Sequence, residues 1–231
     1  MRYSKVKEGR FILRQNRFVA KVLIDGKEET VHVKNTGRCR ELLLPDTKVY
    51  LSLSDNPTRK TRYDLIAVEK RSENNEPILI NMDSAAPNEV VSEWLPVSGI
   101  FPDGTAFRQE VTSGLSRFDF CAEFEGVTSF IEVKGVTLES DGRVYFPDAP
   151  TQRGVKHLKE LSELSLKGSE NYVIFVVQMK GAKSFSPNRK THPQFGEALD
   201  EAIRSGVNIL AVDCTVTPDT MVIDGFVPVV P

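Results

Sequence analysis

Between Arg10 and Met82 apolar and polar residues alternate in short runs, a period of two that predicts strands rather than helices. Six runs fit: Arg10 to Gln15, Phe18 to Ile24, Glu29 to Lys34, Lys48 to Ser54, Tyr63 to Arg71 and Ile78 to Met82. Turn-forming residues separate them at Asp25-Gly26, Asn35-Thr36-Gly37, Asp55-Asn56-Pro57 and Ser72 to Pro77. The connection after Lys34 also holds Arg38 to Leu44, enough for one short helical turn. Regular short strands punctuated this way point to a small closed β-barrel of the five-stranded OB type.

From Ser84 the pattern changes. Pro87 to Leu95 predicts a helix with proline in its first turn. Strands follow at Thr105 to Val111, Ser116 to Phe124 and Val127 to Val133. A longer helix, Thr151 to Leu166, carries the apolar stripe Val155, Leu158, Leu161 and Leu164. Tyr172 to Val177 is continuously apolar, as in a strand covered on both faces. A helix at Gln194 to Arg204 and a strand at Val207 to Val212 complete a mixed sheet with helices on its faces. The prolines of the tail, Pro228 and Pro231, restrict any strand there to a sheet edge. The expected organisation is α+β in two domains: a barrel over residues 1–83 and an α/β domain over residues 84–231.

The length of 231 residues suits two domains that each bury a core. No apolar stretch reaches the roughly 18 residues of a membrane span, so no membrane partner is expected. The opening residues Met1 to Glu8 lack the apolar core of a secretory signal, which gives a cytoplasmic location as the expectation. Three cysteines, Cys39, Cys121 and Cys214, without C-x-x-C spacing, read as free buried thiols. The net charge of −2 conceals an asymmetry: residues 1–82 carry 17 Lys and Arg against 11 Asp and Glu, and the remainder 13 against 21. A +6 half joined to a −8 half suggests a polyanion-binding module beside one that uses carboxylates, although ordinary charge scatter gives the same totals.

The segment from Ser116 to Lys134 carries the chemistry. Phe118, Phe120, Ala122 and Phe124, with Ile131 and Val133, define one apolar face of a hairpin. If Glu125-Gly126 is a two-residue loop, Phe124 pairs with Val127 and Asp119 lies opposite Glu132, with Lys134 on the same face. Carboxylates so opposed repel each other. A divalent cation, Mg²⁺ or Mn²⁺, relieves that repulsion, because such an ion is held by one or two carboxylates and gathers phosphate oxygens. Lys134 beside it suits the orientation of an attacking water and the countering of phosphorane charge. A Ser113-Gly114 turn pairing Thr112 with Leu115 would set Glu110 opposite Arg117 and on the carboxylate face, as a further metal ligand. The competing reading is a hairpin with one solvated face.

Basic residues lie elsewhere. Gln152, Arg153 and Lys156 begin the long helix and suit a grip on phosphates. Lys180, Lys183, Arg189, Lys190 and His192 follow the buried strand, and Lys34, Arg38 and Arg40 surround Asn35-Thr36-Gly37. Either loop can contact phosphates or simply be solvated. His32, His157 and His192 show no metal-ligand spacing and are assigned to no metal.

Asn35-Thr36-Gly37, Arg117 to Phe120 with Ile131 to Lys134, and Phe146-Pro147-Asp148-Ala149 through Arg153-Gly154-Val155-Lys156-His157-Leu158 together resemble the sugar fermentation stimulation protein A family over nearly the whole chain. The Asp119, Glu132, Lys134 pattern resembles the wider PD-(D/E)xK nuclease superfamily. The resemblance implies an OB-like first domain, a nuclease-like second domain, DNA as partner and a regulatory role in sugar, notably maltose, metabolism. It also implies that Asp119, Glu132 and Lys134 are catalytic.

Two functions follow as expectations. The first is a DNA-binding protein with a Mg²⁺-dependent phosphodiesterase site; the second is a non-catalytic DNA-binding regulator of sugar metabolism genes that uses the nuclease fold as a platform. The sequence leaves open whether cleavage occurs, and it leaves open the oligomeric state, a homodimer included.

Overall fold

Residues 1–35, 37–56, 58–71, 76–114 and 116–231 are described by the structure, a computed structural model. The predicted turns at Thr36, Pro57 and Ser72 to Asn75, and the pairing partner Leu115, lie outside the described residues.

The alternating segments form β1 (Val6–Asn16), β2 (Val19–Ile24), β3 (Lys27–Val33), β4 (Lys48–Leu53), β5 (Tyr63–Arg71) and β6 (Pro77–Asn81). Antiparallel ladders run in the order β3-β2-β1-β4-β5-β6, and a parallel contact of β3 with β5, His32↔Asp64 and Val33↔Leu65, closes five of these strands into a barrel. Closure removes the unpaired edges that an open sheet would expose. Val22, Val31, Val49, Leu51, Leu65 and Val68 fill the interior with no measurable exposure. Gly9 lets β1 approach closely: a Cβ there would stand 2.7 Å from Val22 Cγ1 and 3.0 Å from the Leu23 carbonyl. The turn expected within Arg38 to Leu44 is present, with the Leu43 amide donating to the Cys39 carbonyl at 3.0 Å.

The second domain begins with α1 (Ala86–Trp94), continued by a short 3-10 turn over Leu95–Val97. It continues with β7 (Ala106–Ser113), β8 (Ser116–Phe124), β9 (Val127–Val136), β10 (Leu138–Ser140), β11 (Arg143–Phe146) and α2 (Gln152–Leu166). The remainder is β12 (Tyr172–Val177), β13 (Ser184–Pro187), α3 (Pro193–Arg204), β14 (Asn208–Val216) and β15 (Met221–Phe226). Six of these strands form a mixed sheet ordered β15-β14-β12-β9-β8-β7, in which β12 runs parallel to both β9 and β14. Every residue of β12 is buried, as its unbroken apolar run requires. Helix α1 covers one face through Ala86, Val90 and Val91 against Phe120, Ile131 and Ile174. Helices α2 and α3 cover the other, through Leu158, Leu161, Phe195 and Leu199 against Val173 and Phe175. A small sheet, β10-β11-β13, lies beside it.

The first residues of the chain cross to this second domain. The Met1 amino group donates to Glu93 Oε2 at 2.6 Å and to the Met221 carbonyl at 3.0 Å, and Arg2 bridges Thr220. All three cysteines are free and buried. Among the described residues no helix is long and apolar enough to cross a membrane.

Candidate metal centre and nucleic-acid surface

The hairpin loop at Glu125 and Gly126 has φ of +47° and +80°, the twist that a two-residue turn between strands demands. From Phe124↔Val127 to Phe120↔Ile131 the register is the one the sequence predicts. There the pairing stops, while β9 stays joined to β12 as far as Val136. Asp119 and Glu132 are therefore not the directly opposed pair that the register alone predicts; they sit where the two strands part. Asp119 Oδ2 enters the gap and accepts the Val133 amide at 2.8 Å, and its Oδ1 accepts Asn88 Nδ2 of α1 at 2.9 Å.

The same break redirects Phe118. Strict alternation places it beside Phe120, yet it packs in the opposite layer, with ring centroids 5.3 Å from Phe130 and 5.8 Å from His157. Glu132 also faces that layer and is only 3% exposed. Its Oε1 receives Lys134 Nζ, and His157 Nδ1 of α2 lies 2.5 Å from the same oxygen. Arg153 Nε lies 3.4 Å from His157 Nε2, and a guanidinium only donates. The imidazole proton is thus on Nδ1, where it donates to Glu132. Glu132 Oε2 is buried and has no partner among the described residues. A buried oxygen without a partner, with a second carboxylate, Asp119, in electrostatic reach of the same residue, suits a divalent cation.

The two carboxyls are tuned in opposite directions. Burial, together with the Glu132 charge, pushes the Asp119 carboxyl above its ordinary range despite the Val133 amide and Lys134. Burial alone would raise Glu132 as well, but His157 and Lys134 outweigh it and hold that carboxyl below the usual range. Among the described residues no group of three or more His, Cys, Asp or Glu gathers closely enough to hold an ion, so a metal here would have two protein carboxylates and otherwise external ligands.

Glu110 occupies a different register from the one expected. Ser113 pairs with Ser116 and Thr112 with Arg117, because the turn begins at Gly114, φ +59°, one residue later than the predicted Ser113-Gly114. Glu110 is flanked by Gln109↔Phe120 and Val111↔Phe118, which places it level with Asp119 rather than opposite Arg117. It has φ +56°, and its exposed carboxylate pairs with Arg117 at 2.7 Å.

Beside His157 opens a cleft of about 530 Å³ lined by Ser116, Arg117, Gln152, Arg153, Lys156 and His157. Helix α2 begins here, its Thr151 hydroxyl accepting the Gly154 amide at 3.0 Å. A helix N-terminus with two arginines and a lysine around it is a favourable place for an anion. The structure thus brings Gln152, Arg153 and Lys156 to His157, the partner of Glu132. It sends the other basic residues elsewhere. Lys34 Nζ pairs with Asp83, which is 2% exposed, at the seam between the domains. Arg38 and Arg40 are exposed on the barrel. Lys180 pairs with Asp213 at 3.0 Å and Asp224 at 2.7 Å, and Arg189 with Asp200 at 2.7 Å. Lys183 and Lys190 are exposed, and His192 is buried with its Nδ1 accepting the Thr151 amide at 3.3 Å.

Asn88 and His157 are the site residues that sequence reasoning missed. Asn88 carries no signal in the chain. His157 stands one helical turn after Arg153 on the polar flank of α2, but its partner is 25 residues away on a strand.

A family model described as the sugar fermentation stimulation protein RE domain matches residues 85–220, and one described as the SfsA N-terminal OB domain matches residues 12–80. Over 229 residues the chain is 54% identical to a sugar fermentation stimulation protein homolog of Desulfitobacterium hafniense strain Y51, covering 99% of this chain and 98% of that one. A homolog from Clostridium beijerinckii is 50% identical over 230 residues, the full length of both. Among solved structures, that of Pyrococcus furiosus SfsA in complex with Ca²⁺ matches with a TM-score of 0.85 and 26% identity, covering 100% of this chain and 98% of that one.

Proposed function

The chain belongs to the sugar fermentation stimulation protein family, and from that premise we propose that it binds DNA and carries a divalent-metal phosphodiesterase site built on Asp119, Glu132 and Lys134. The observation that carries this reading is the buried, unpartnered Glu132 Oε2, on a residue within electrostatic reach of Asp119. The relative from Pyrococcus furiosus was solved in complex with Ca²⁺, a hard cation with the same preference for oxygen ligands as Mg²⁺, which supports a cation on this fold.

Asp119 and Glu132 would hold Mg²⁺ or Mn²⁺, with Glu110 left at the rim against Arg117. The ion supplies Lewis-acid polarisation of a phosphoryl oxygen and acidification of a water. The protein does the rest. Lys134 and His157 both occupy Oε1 of Glu132, so that Oε2 would be the oxygen to hold the ion. Lys134, still within reach of the carboxylates, orients the attacking water and offsets charge building on the phosphate. Arg117, Arg153, Lys156 and the first turn of α2 hold the adjacent phosphates. Arg38 and Arg40 on the barrel, with Lys183 and Lys190 on the second domain, add backbone contacts.

One observation favours the non-catalytic regulator of sugar metabolism genes. Lys134, His157 and Asn88 already compensate much of the carboxylate charge, so the hairpin can persist without an ion. Plasmid cleavage separates the two readings. The phosphodiesterase nicks DNA only with Mg²⁺ or Mn²⁺ and loses that activity in Lys134→Ala while still binding DNA. Binding without cleavage under every metal leaves the regulatory reading.

A further inference from the structure

A second cavity, of about 170 Å³, lies where the two domains meet, one residue beyond Lys134 on β9. Its lining includes Gly37 from the barrel and Gly135, Tyr145, Phe146, Asp148 and Gln178 from the second domain. Two absent side chains keep it open. A Cβ on Gly135 would stand 2.5 Å from Gln178 Oε1, and one on Gly37 would stand 2.4 Å from Asp148 Oδ2.

One polar group facing it, Gln178, is fixed by its other bonds. Gln178 is 2% exposed, and its Nε2 faces three acceptors: the Asn81 carbonyl at 3.1 Å, Asn81 Oδ1 at 3.2 Å and the Asp83 carbonyl at 3.0 Å. The amide orientation is therefore settled, and Oε1 turns to the cavity with no donor among the described residues. Asn81 is held in turn by Tyr3, Tyr3 by Asp83, and Asp83 by Lys34. The Asp148 carboxylate, on an exposed residue, reaches the cavity beside Gly37. The site thus offers two acceptors, the fixed amide oxygen of Gln178 and the charged carboxylate of Asp148, beside the aromatic rings of Tyr145 and Phe146.

Acceptors select a ligand that brings donors, and aromatic walls select a flat one. The volume lies below the roughly 300–1,000 Å³ of drug-sized sites, so a single ring system suits it better than a larger molecule. A carboxylate accepts from the exocyclic amine of cytosine, and the amide oxygen left on Gln178 accepts from that of adenine. We propose that this seam cavity binds one unpaired nucleobase bearing an exocyclic amine, cytosine or adenine, and so directs the protein to strand ends or unpaired positions. The assignment rests on the DNA-binding reading for the origin of the base. The cavity chemistry itself does not depend on the metal.

The experiment uses the full chain in EDTA, titrated calorimetrically with two pairs in which a carbonyl replaces the amine and the adjacent ring nitrogen gains a proton: dCMP against dUMP, and dAMP against dIMP. In parallel, a duplex with one unpaired 3′ cytosine is compared with the blunt duplex and with a 3′ uracil overhang. The amino member of each pair should bind about tenfold or more tightly, since a charge-assisted hydrogen bond is being gained. Asp148→Ala and the cavity-filling Gly37→Ala should each abolish that preference, without altering Mn²⁺ binding. Both changes meet only side-chain ends or solvent, and a thermal melt confirms that each variant is folded. Preference for the overhang alone places the base on a DNA strand; preference among mononucleotides as well makes the cavity a nucleotide site in its own right. Equal binding within every pair, with DNA and Mn²⁺ binding intact, overturns the cavity assignment and leaves the proposed function standing. Amine preference among mononucleotides without DNA binding overturns the proposed function and leaves the cavity assignment standing.

Discussion

His157 Nδ1 lies 2.5 Å from Glu132 Oε1, and the two side chains, from α2 and β9, are each only 4% exposed. The contact ties the helix that bears the basic cleft to the strand that bears the carboxylate. It also settles which Glu132 oxygen is left for an external ligand. Replacing His157 by alanine removes a donor from a buried carboxylate and opens a cavity against Phe118. Destabilisation of about 2–5 kcal/mol is expected in a urea titration. His157→Gln, whose amide can still donate, should recover part of the loss and most of the metal affinity. If Gln is no better than Ala, the hydrogen bond does not orient Glu132.

Lys34 and its neighbours Arg38 and Arg40 should separate into two kinds of effect. Lys34 neutralises Asp83, which is 2% exposed, so Lys34→Ala leaves a buried charge uncompensated and should cost on the order of 3–5 kcal/mol of stability. Arg38 and Arg40 are exposed, and their double alanine variant should melt like wild type. It should instead reduce the slope of log K against log salt by about one to two units on any DNA sequence. An unchanged slope removes this loop from the DNA footprint.

The hairpin was legible because its register depends on a two-residue turn, Glu125-Gly126, that the sequence states outright. Its parting at Asp119 was not legible. The ladder is broken by Asn88, on a helix 31 residues earlier, and by the Asp119 side chain taking the Val133 amide. No strand periodicity encodes either contact. For the same reason Phe118, predicted beside Phe120, faces the other layer. The barrel was readable from alternation and turns. By contrast β10, β11 and β13, of three or four residues each, are too short to show a period. Basic residues could be found by sequence but not sorted, since only tertiary structure shows that Lys34 and Arg189 are already engaged.

A pH dependence follows from the barrel. Burial by itself would raise the Asp64 carboxyl, but the paired bonds from Arg59 at 2.7 and 2.9 Å, with His32 at 2.9 Å, outweigh it and hold Asp64 below its ordinary range. A carboxylate depressed in the folded state binds fewer protons there than when unfolded. Its stabilisation is present above the unfolded pKa of about 3.9 and is lost as pH falls through the lower folded value. Unfolding midpoints across acid pH should show this loss in wild type and a shallower one in Asp64→Asn. Parallel curves contradict the assignment.

Whether Glu132 Oε2 and Asp119 hold a cation decides the proposed function. Calorimetric titration of Mn²⁺ into the metal-free full-length protein tests this without requiring any knowledge of the DNA substrate. One saturable site is expected, retained in Lys134→Ala and lost in Asp119→Asn and in Glu132→Gln, two changes that conserve side-chain volume. Wild-type and variant isotherms that coincide would contradict the metal centre, and with it the phosphodiesterase.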